Sequence, residues 1–255
     1  MMRFIGVVHL AALPGSPRSS VPLASVIDRA LEDARALVVG GVDGLIVENF
    51  NDVPFFSEAV PPHTVAAMTA ACIAIRRAVS CPVGVNVLRN DAVAALGIAL
   101  VAECEFVRVN VHTGAMVTDQ GIINGRAAET LRLRRELGAD SIQIFADILV
   151  KHAVPFGPVS LAESARDAVE RGLADAIIVT GTATGTAASP DDVGAVSSVV
   201  DVPVYVGSGV TVENVADVVP PADGIIVGSS LKRGGIIANP VDTERVRDLA
   251  NRLPR

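Results

Sequence analysis

Short runs of β-branched and other apolar residues alternate with longer stretches in which apolar residues recur every three or four positions. The short runs have the length of buried strands, and the longer stretches have the period of amphipathic helices. The eight strand-like runs are FIGVVHL (4–10), GLIVENF (44–50), PVGVNVL (82–88), FVRVNVH (106–112), SIQIFAD (141–147), AIIVTG (176–181), PVYVGSG (203–209) and GIIVGSS (224–230). A helical stretch follows each run, from ASVIDRALEDARALVVGG after the first to DTERVRDLANRL after the last.

Eight strand–helix pairs in a chain of 255 residues predict an α/β fold, a single (β/α)8 TIM barrel over residues 1–255. The alternative is a doubly wound open sheet, which would more often show fewer strands and a glycine-rich nucleotide turn after the first strand. No GxGxxG follows the first strand, and no linker or change in composition divides the chain.

Composition narrows the partners that we expect. Hydrophobic residues make up 50% of the chain but aromatics only 3%, so the core must consist of Val, Ile, Leu and Ala. The net charge of −7 argues against nucleic acid or an anionic membrane as the main partner. The three cysteines lack CxxC spacing and are odd in number, which favours a reducing cytoplasm. No uninterrupted apolar window of ~18 residues occurs, so we expect no membrane insertion.

Polar residues collect at the predicted strand ends, where a TIM barrel places its active site. Only two residues of the chain are lysine, and both fall at this rim among 21 basic residues. The rim residues of strands one to six are His9, Glu48, Asn49, Asn86, Arg89, Asn90, Asn110, His112, Asp147, Lys151, His152, Thr180 and Gly181. We predict that Asn86, Arg89, Asn110, Thr180 and Gly181 bind substrate.

The alternation in FVRVNVH predicts which side chains of the fourth strand point inward. Its three valines share one face, which should pack on the helices, and Arg108, Asn110 and His112 share the other. A buried arginine needs an anionic partner, and Glu48 and Asp147 are the nearest candidates. Arg108 is predicted either to bind substrate or to form a purely structural ion pair.

Two glycine–serine turns follow the seventh and eighth strands, where many barrels bind phosphate through backbone N–H groups. They predict a phosphate site at the residues Gly207, Ser208, Gly209, Gly228, Ser229 and Lys232, with Lys232 as a point charge. Ordinary turn chemistry is the alternative reading. A third run of small residues, TGTATGTAASP (180–190), is either a segment that closes over a ligand or a flexible loop.

Two rim loops are long. Residues 49–62 contain Phe50, Phe55 and Phe56, which predict a lid, a subunit contact or local packing on the rim. Residues 113–125 form a predicted loop whose glycines suit a hinge.

Seven segments together resemble the motifs of the BtpA/SgcQ family, nearly from end to end. These segments are VENFNDVPF, GVNVLRNDA, FVRVNVHTGAMVTDQGII, ADILVKHA, VTGTATG, VGSGVTVEN and VGSSLKRGG. The resemblance implies a TIM barrel of the phosphate-binding class. One branch of the family is named for photosystem I biogenesis, and another lies among sugar-metabolism genes and carries a nucleoside triphosphatase label. The P-loop pattern GxxxxGK[ST] does not occur in this sequence.

Several residues of the rim are candidates for catalysis. Asp147 and Glu48 suit an acid/base pair across the barrel mouth. Lys151 suits Schiff-base formation, recognition of a substrate carboxylate or phosphate, or a structural pair with Asp147. His112 and His152 are candidate proton shuttles. A divalent metal between Glu48 and Asp147 is a further candidate, although no ligand spacing supports it.

These residues predict an enzyme that acts on a small phosphorylated, sugar-phosphate-like metabolite by isomerase, epimerase or lyase chemistry. The alternatives are a non-catalytic photosystem I assembly factor, with residues 49–62 as its contact surface, and a nucleotide phosphohydrolase. We also expect a homo-oligomer, only because many barrels of this fold associate.

Overall fold

The computed structural model describes residues 3–181 and 188–253. Its strands are β1 (Phe4–His9), β2 (Gly44–Glu48), β3 (Val83–Asn86), β4 (Phe106–Val109), β5 (Ala115–Thr118), β6 (Gly121–Asn124), β7 (Gln143–Ile148), β8 (Ala153–Pro155), β9 (Ala176–Val179), β10 (Val204–Val206) and β11 (Gly224–Val227). Its α-helices are α1 (Leu23–Gly40), α2 (Pro62–Ala78), α3 (Ala92–Val101), α4 (Ala127–Glu136), α5 (Leu161–Arg166), α6 (Pro190–Ser197), α7 (Val215–Val218) and α8 (Thr243–Arg252).

Eight of the strands close into a parallel barrel in the order β1-β11-β10-β9-β7-β4-β3-β2. Helices connect successive barrel strands, so the predicted TIM barrel is confirmed. The strands that the sequence counts as the fifth to the eighth are β7, β9, β10 and β11. Among the described residues, none of the helices combines the length and the apolar character needed to span a membrane.

The outward face of each barrel strand is apolar and packs against the helices. Val107 and Val109 of β4 belong to this outer core, as the alternation in FVRVNVH predicts. The inward face starts with a smaller apolar cluster at the bottom of the barrel. There the rings of Phe106 and Phe145 lie 4.6 Å apart, and those of Phe145 and Tyr205 lie 5.2 Å apart. The lower barrel is therefore a packed core rather than a channel.

The top layer of the barrel interior is polar. It is reached by stepping two residues along each strand from the apolar layer, because side chains alternate between the two faces. The residues of this layer are His9, Glu48, Asn86, Arg108, Asp147, Thr180, Gly207 and Gly228. Seven of these positions have a predicted catalytic, substrate-binding or phosphate-binding role, and the eighth, His9, is predicted at the rim without such a role.

The loop predicted over residues 113–125 is instead a β-hairpin. β5 and β6 pair as antiparallel strands, and β8 joins β5 to make a small three-stranded sheet. Met116 and Ile123 pack against Val111 and Val150 in a cluster of their own. Because Val150 precedes Lys151, this sheet supports the loop that carries Lys151.

Candidate active site

Arg108 lies at the centre of the barrel mouth and binds two carboxylates. Its Nε and Nη2 donate to the two oxygens of Asp147 at 3.0 Å each, and its Nη1 donates to Glu48 Oε1 at 3.2 Å. All three side chains are buried. Burial lowers the pKa of Arg108, but the two carboxylates more than offset this and raise it above its ordinary value. The guanidinium is therefore a permanent charge that holds both carboxylates in place.

Glu48 is tied into the same network from three sides. Asn86 Nδ2 donates to Glu48 Oε1 at 3.0 Å, and His9 Nε2 lies 4.0 Å from Glu48 Oε2. Burial raises the pKa of Glu48, but Arg108, His9 and the Asn86 hydrogen bond outweigh it, so the net pKa is lowered. Glu48 is thus an ionised carboxylate at neutral pH and a candidate proton acceptor.

Asp147 connects the ion pair to a second, larger space. Asn110 Nδ2 donates to Asp147 Oδ2 at 2.6 Å, while the buried Asn110 Oδ1 has no hydrogen-bond partner among the described residues. Both residues line a cavity of about 400 Å³ between the β7 loop, the small sheet and α5. An unsatisfied buried amide oxygen beside a cavity is an acceptor that a ligand can use.

A narrow cavity of about 40 Å³ lies at the mouth of the barrel. Glu48, Arg108 and Lys151 line it together with both glycine–serine turns, at 207–209 and 228–230. The two cavities adjoin at the Arg108–Asp147 pair, since Arg108 lines one and Asp147 lines the other.

The two turns that line the narrow cavity contain backbone N–H groups without an acceptor in the described part of the chain. Within residues 3–181 and 188–253, the N–H groups of Gly209, Ser229 and Ser230 donate to no carbonyl or side chain, whereas the N–H of Gly207 bonds Val179 O at 2.8 Å. Gly209 has a φ of +70°, which favours glycine. A side chain at Gly207 would place its Cβ 2.4 Å from Ile178 Cγ2. Glycine at Gly207 therefore lets the β10 turn pass close to the barrel interior.

Lys151 extends from the β7 loop into the narrow cavity. In the described part of the chain its ammonium makes neither a hydrogen bond nor an ion pair. Burial lowers the pKa of Lys151, and the neighbouring Arg108 and Arg89 lower it further, against the opposing effect of Glu48 and Asp147. Lys151 is thus a cation without a bonded partner in a site that already contains a guanidinium.

His9 is a site residue that the sequence places at the rim but does not select. Its ring contacts that of Phe50 at a tilt of 47°, with centroids 4.6 Å apart, and its buried Nδ1 has no hydrogen-bond partner among the described residues. Burial lowers the pKa of His9 to about 4, despite the opposing charge of Glu48. The imidazole is therefore neutral at pH 7. Its position at the end of the first strand is the signal that could have identified it.

His112 does not lie with the other predicted catalytic residues. β4 ends at Val109, so the alternation that predicts an inward His112 stops three residues too early. His112 Nε2 instead bonds Gly172 O at 2.7 Å, beside the end of the helical segment after β8. Burial and Arg134 lower the pKa of His112, although the Gly172 bond opposes them. The prediction of a catalytic His112 is therefore corrected: the structure places His112 outside the barrel mouth, where it bonds the backbone carbonyl of Gly172.

Lys232 does not lie in the narrow cavity either. Its side chain is 1% exposed, and its Nζ donates to Asp33 Oδ2 on α1 at 2.5 Å. Asp33 also accepts a hydrogen bond from Val241 N at 2.7 Å. The prediction of a phosphate-binding Lys232 is therefore corrected to a buried ion pair that joins α1 to the segment after β11.

Substitution Lys232→Met separates the structural from the phosphate-binding role. Removing one partner of a buried pair leaves Asp33 uncompensated, so we expect the free energy of unfolding to fall by about 3 kcal/mol. Urea denaturation measures this loss, and calorimetry with a phosphate ester should give an unchanged Kd. A Kd weakened tenfold or more, with little loss of stability, would restore the original assignment.

The remaining predicted residues surround the site in different ways. Arg89 is buried, and its Nη2 donates to Lys151 O at 2.6 Å, so it positions the Lys151 loop. Thr180 Oγ1 is buried without a partner among the described residues, and its methyl group lies beside Gly207. Gly181 is buried, and residues 182–187 of the predicted closing segment lie outside the described residues. His152 is exposed at the loop surface.

The aromatic loop at 49–62 is partly packed on the rim. Phe50 contacts His9, whereas Phe55 is half-buried and Phe56 is 56% exposed. Phe55 and Phe56 line a third cavity of about 430 Å³ with Pro54 and His63. The loop thus contacts the site through Phe50, and its roles as a lid or a subunit contact stay predictions.

Glu48 and Asp147 are the residues predicted as candidate ligands of a divalent metal. Both carboxylates bind Arg108. Across residues 3–181 and 188–253, no three or more His, Cys, Asp or Glu side chains form a group that could hold a metal ion. The positive charge that faces the two carboxylates here is that of Arg108.

Comparisons with known proteins agree with this fold over the full length. The model of the BtpA family matches residues 2–255. The photosystem I biogenesis protein BtpA of Synechocystis is 50% identical, over 95% of this chain and 84% of that protein. An uncharacterized protein of Thermococcus kodakarensis is 47% identical, over 96% and 92%. An uncharacterized mitochondrial protein of Caenorhabditis elegans is 36% identical, over 94% and 89%.

Solved structures of similar fold include two barrel enzymes. Thiamine phosphate pyrophosphorylase from Pyrococcus furiosus superimposes with a TM-score of 0.62 at 15% identity, over 98% of this chain and 94% of that one. Mycobacterium tuberculosis tryptophan synthase gives a TM-score of 0.64 at 21% identity, over 99% and 94%. At these identities the likeness concerns the fold.

Proposed function

The chain belongs to the BtpA family, and from that premise we propose that it is an enzyme that acts on a small phosphorylated metabolite. The substrate is of the sugar-phosphate type, and it binds at the C-terminal mouth of the barrel. One observation carries the proposal: both glycine–serine turns line the same narrow cavity as Lys151, Arg108 and Glu48.

The turns support the phosphate end of the substrate. Backbone N–H groups without other acceptors are suited to an anion, and the residues that supply them are Gly209, Ser229 and Ser230. The positive charges of Lys151 and Arg108 add attraction for the phosphate. Because Lys232 bonds Asp33, we leave it out of the phosphate site.

The two carboxylates support acid/base chemistry on the rest of the substrate. Glu48 and Asp147 sit on opposite sides of Arg108, which orients both. Because the pKa of Glu48 is lowered, its carboxylate is ionised at neutral pH and has a free lone pair to accept a proton from a carbon or a hydroxyl group, while the same shift makes it a weaker base than an unpaired glutamate. The amide oxygen of Asn110 and the hydroxyl of Thr180 have no partner within residues 3–181 and 188–253, so they offer hydrogen bonds to substrate hydroxyl groups. This chemistry is that of an isomerase, epimerase or lyase.

A thermal-shift series tests the proposal. We compare inorganic phosphate, glyceraldehyde 3-phosphate and unphosphorylated glyceraldehyde at equal concentration. A phosphorylated ligand at a hundred times its Kd stabilises by about 2.7 kcal/mol, which raises the Tm by roughly 5–10 °C for a domain of this size. Equal Tm values with and without every phosphorylated ligand in a wider sugar-phosphate set would contradict the proposal.

A second candidate is a non-catalytic assembly factor, as the name of the Synechocystis relative suggests. An exposed apolar surface on the small sheet favours it, since Val117, Ile122 and Val154 are paired neighbours and all exposed. Relatives of 36–47% identity in a nematode and an archaeon, neither of them photosynthetic, weigh against a role tied to photosystems. Binding of photosystem I subunits to the wild type, lost in Val154→Asp, would favour this candidate.

Nucleotide phosphohydrolase activity is a weaker alternative that the family resemblance raises. The absence of a P-loop pattern in the sequence weighs against it. A phosphate-release assay with ATP and Mg²⁺ decides the matter, and release above that of Glu48→Gln would support it.

A further inference from the structure

We propose that Lys151 forms an imine with the carbonyl group of its substrate, which is then a phosphorylated aldehyde or ketone. This inference rests on the proposed function, because it takes the phosphate end of the substrate to lie on the two turns. Its grounds are the position of Lys151, the groups around it and the fact that no described residue bonds its ammonium.

The loop that carries Lys151 is held from several sides. Arg89 bonds its backbone carbonyl, and Val150 is buried in the cluster under the small sheet. Leu149 and His152 on either side have φ values of +45° and +57°, which residues other than glycine rarely adopt. Such strain persists only where the surroundings impose it, and it concentrates at functional sites.

The surroundings of Lys151 favour a nucleophile over a mere anchor for phosphate. In the same cavity, the backbone N–H groups of Gly209, Ser229 and Ser230 are available to bind the anion without Lys151. Arg108 and Arg89 repel the ammonium form, and the two nearest carboxylates are engaged by Arg108. A lysine next to other cations in a buried site is converted to the neutral amine more readily, and the neutral amine is the nucleophile.

Lys151 and Glu48 can together carry out the proton transfers that imine formation needs. Glu48 takes one proton from the Lys151 ammonium, the neutral Nζ attacks the carbonyl carbon, and Glu48 returns that proton to the carbonyl oxygen, which gives a carbinolamine protonated at nitrogen. Glu48 accepts a proton from nitrogen and returns it to the departing hydroxyl group, so that one water molecule leaves and a protonated C=N bond remains. The iminium then withdraws electrons from the neighbouring carbon, which assists loss of a proton in an isomerase or C–C cleavage in a lyase. No oxidant or reductant is required.

Reductive trapping tests the inference, and the chain suits it because Lys151 and Lys232 are its only lysines. The protein is incubated with glyceraldehyde 3-phosphate or dihydroxyacetone phosphate and sodium borohydride, and peptide mass spectrometry locates the reduced adduct. We expect the adduct on Lys151, none with glycerol 1-phosphate, which lacks a carbonyl, and none in Lys151→Arg. The buried Lys232 serves as an internal control.

Calorimetry in parallel separates this inference from the proposed function. Phosphate esters that bind without any adduct on Lys151 overturn the imine and leave the proposed function standing. An adduct of equal yield on Lys151 from unphosphorylated glyceraldehyde, with no measurable binding of phosphate esters, overturns the proposed function and the inference that rests on it. Labelling that persists on other amines in Lys151→Arg at the wild-type yield also overturns the assignment.

Discussion

Replacement of Arg108 by methionine lowers the free energy of unfolding by about 4–5 kcal/mol at pH 7, the cost of leaving buried charges without their partner. Two carboxylates lose their common counterion, because Arg108 binds both Glu48 and Asp147. At 2–4 °C per kcal/mol for a domain of this size, the Tm should fall by roughly 8–20 °C. Differential scanning calorimetry of the two proteins measures the difference.

The pH dependence of this loss identifies its electrostatic origin. In the wild type the pKa of Glu48 lies below its usual 4.5, so its contribution is present at neutral pH and disappears as the pH falls through the lowered value. In the variant the burial of Glu48 is no longer offset by Arg108 and raises its pKa. Protonation of Glu48 then removes the uncompensated buried charge from the variant. The difference in the free energy of unfolding between the two proteins should therefore become smaller from pH 8 to pH 5.

A surface arginine provides the matched control. Arg135 bonds Asp140 at 2.7 Å, but its side chain is 80% exposed, so Arg135→Met should cost at most ~1 kcal/mol. An Arg108→Met protein that unfolds within 1 kcal/mol of the wild type would show that the buried ion pair does not exist in solution.

Replacement of Gly228 by alanine weakens binding of a phosphate ester about 10- to 100-fold, the loss of one or two hydrogen bonds to a charged group at ~1.5–3 kcal/mol. A Cβ at Gly228 would lie 2.6 Å from His9 Cε1 and 3.3 Å from Val7 Cβ. Val7 is packed in β1 and the His9 ring contacts Phe50, so neither can move far. The turn after β11 and its N–H donors must therefore shift. Isothermal titration calorimetry measures the change in Kd.

Gly97→Ala is the control for this substitution. Gly97 lies inside α3, and nothing within 4 Å would meet a Cβ there. Alanine is favoured over glycine in a helix by ~1 kcal/mol, so this variant should be slightly more stable and bind the ester like the wild type. A Gly228→Ala protein whose Kd matches that of Gly97→Ala would remove the turn from the binding site.

Regular strand patterns made most of the barrel predictable from the sequence. The alternation in FVRVNVH places Arg108 inward, and the need of a buried cation for anions points to Glu48 and Asp147. The same alternation is wrong for His112, because it applies only while the strand continues and β4 ends at Val109. Period-two reasoning therefore depends on a strand boundary that the sequence does not define sharply.

The other differences between the sequence-based predictions and the structure come from contacts between distant parts of the chain. Lys232 pairs with Asp33, 199 residues away, and no local pattern reveals that partner. The hairpin β5–β6 had a local signal, since AMVT and GIIN are short apolar segments on either side of a turn that ends at Gly121. Its packing on Val150, and with it the support of Lys151, depends on tertiary contacts.

A crystal structure with tungstate, an anion of phosphate-like shape that scatters X-rays strongly, shows directly whether the two glycine–serine turns bind an anion. We expect an anomalous peak in the narrow cavity, within hydrogen-bond distance of the backbone nitrogens of Gly209, Ser229 and Ser230, and a weaker peak or none in Gly228→Ala. Saturating tungstate bound only at surface arginines, with the narrow cavity holding water, would contradict the proposed phosphate site.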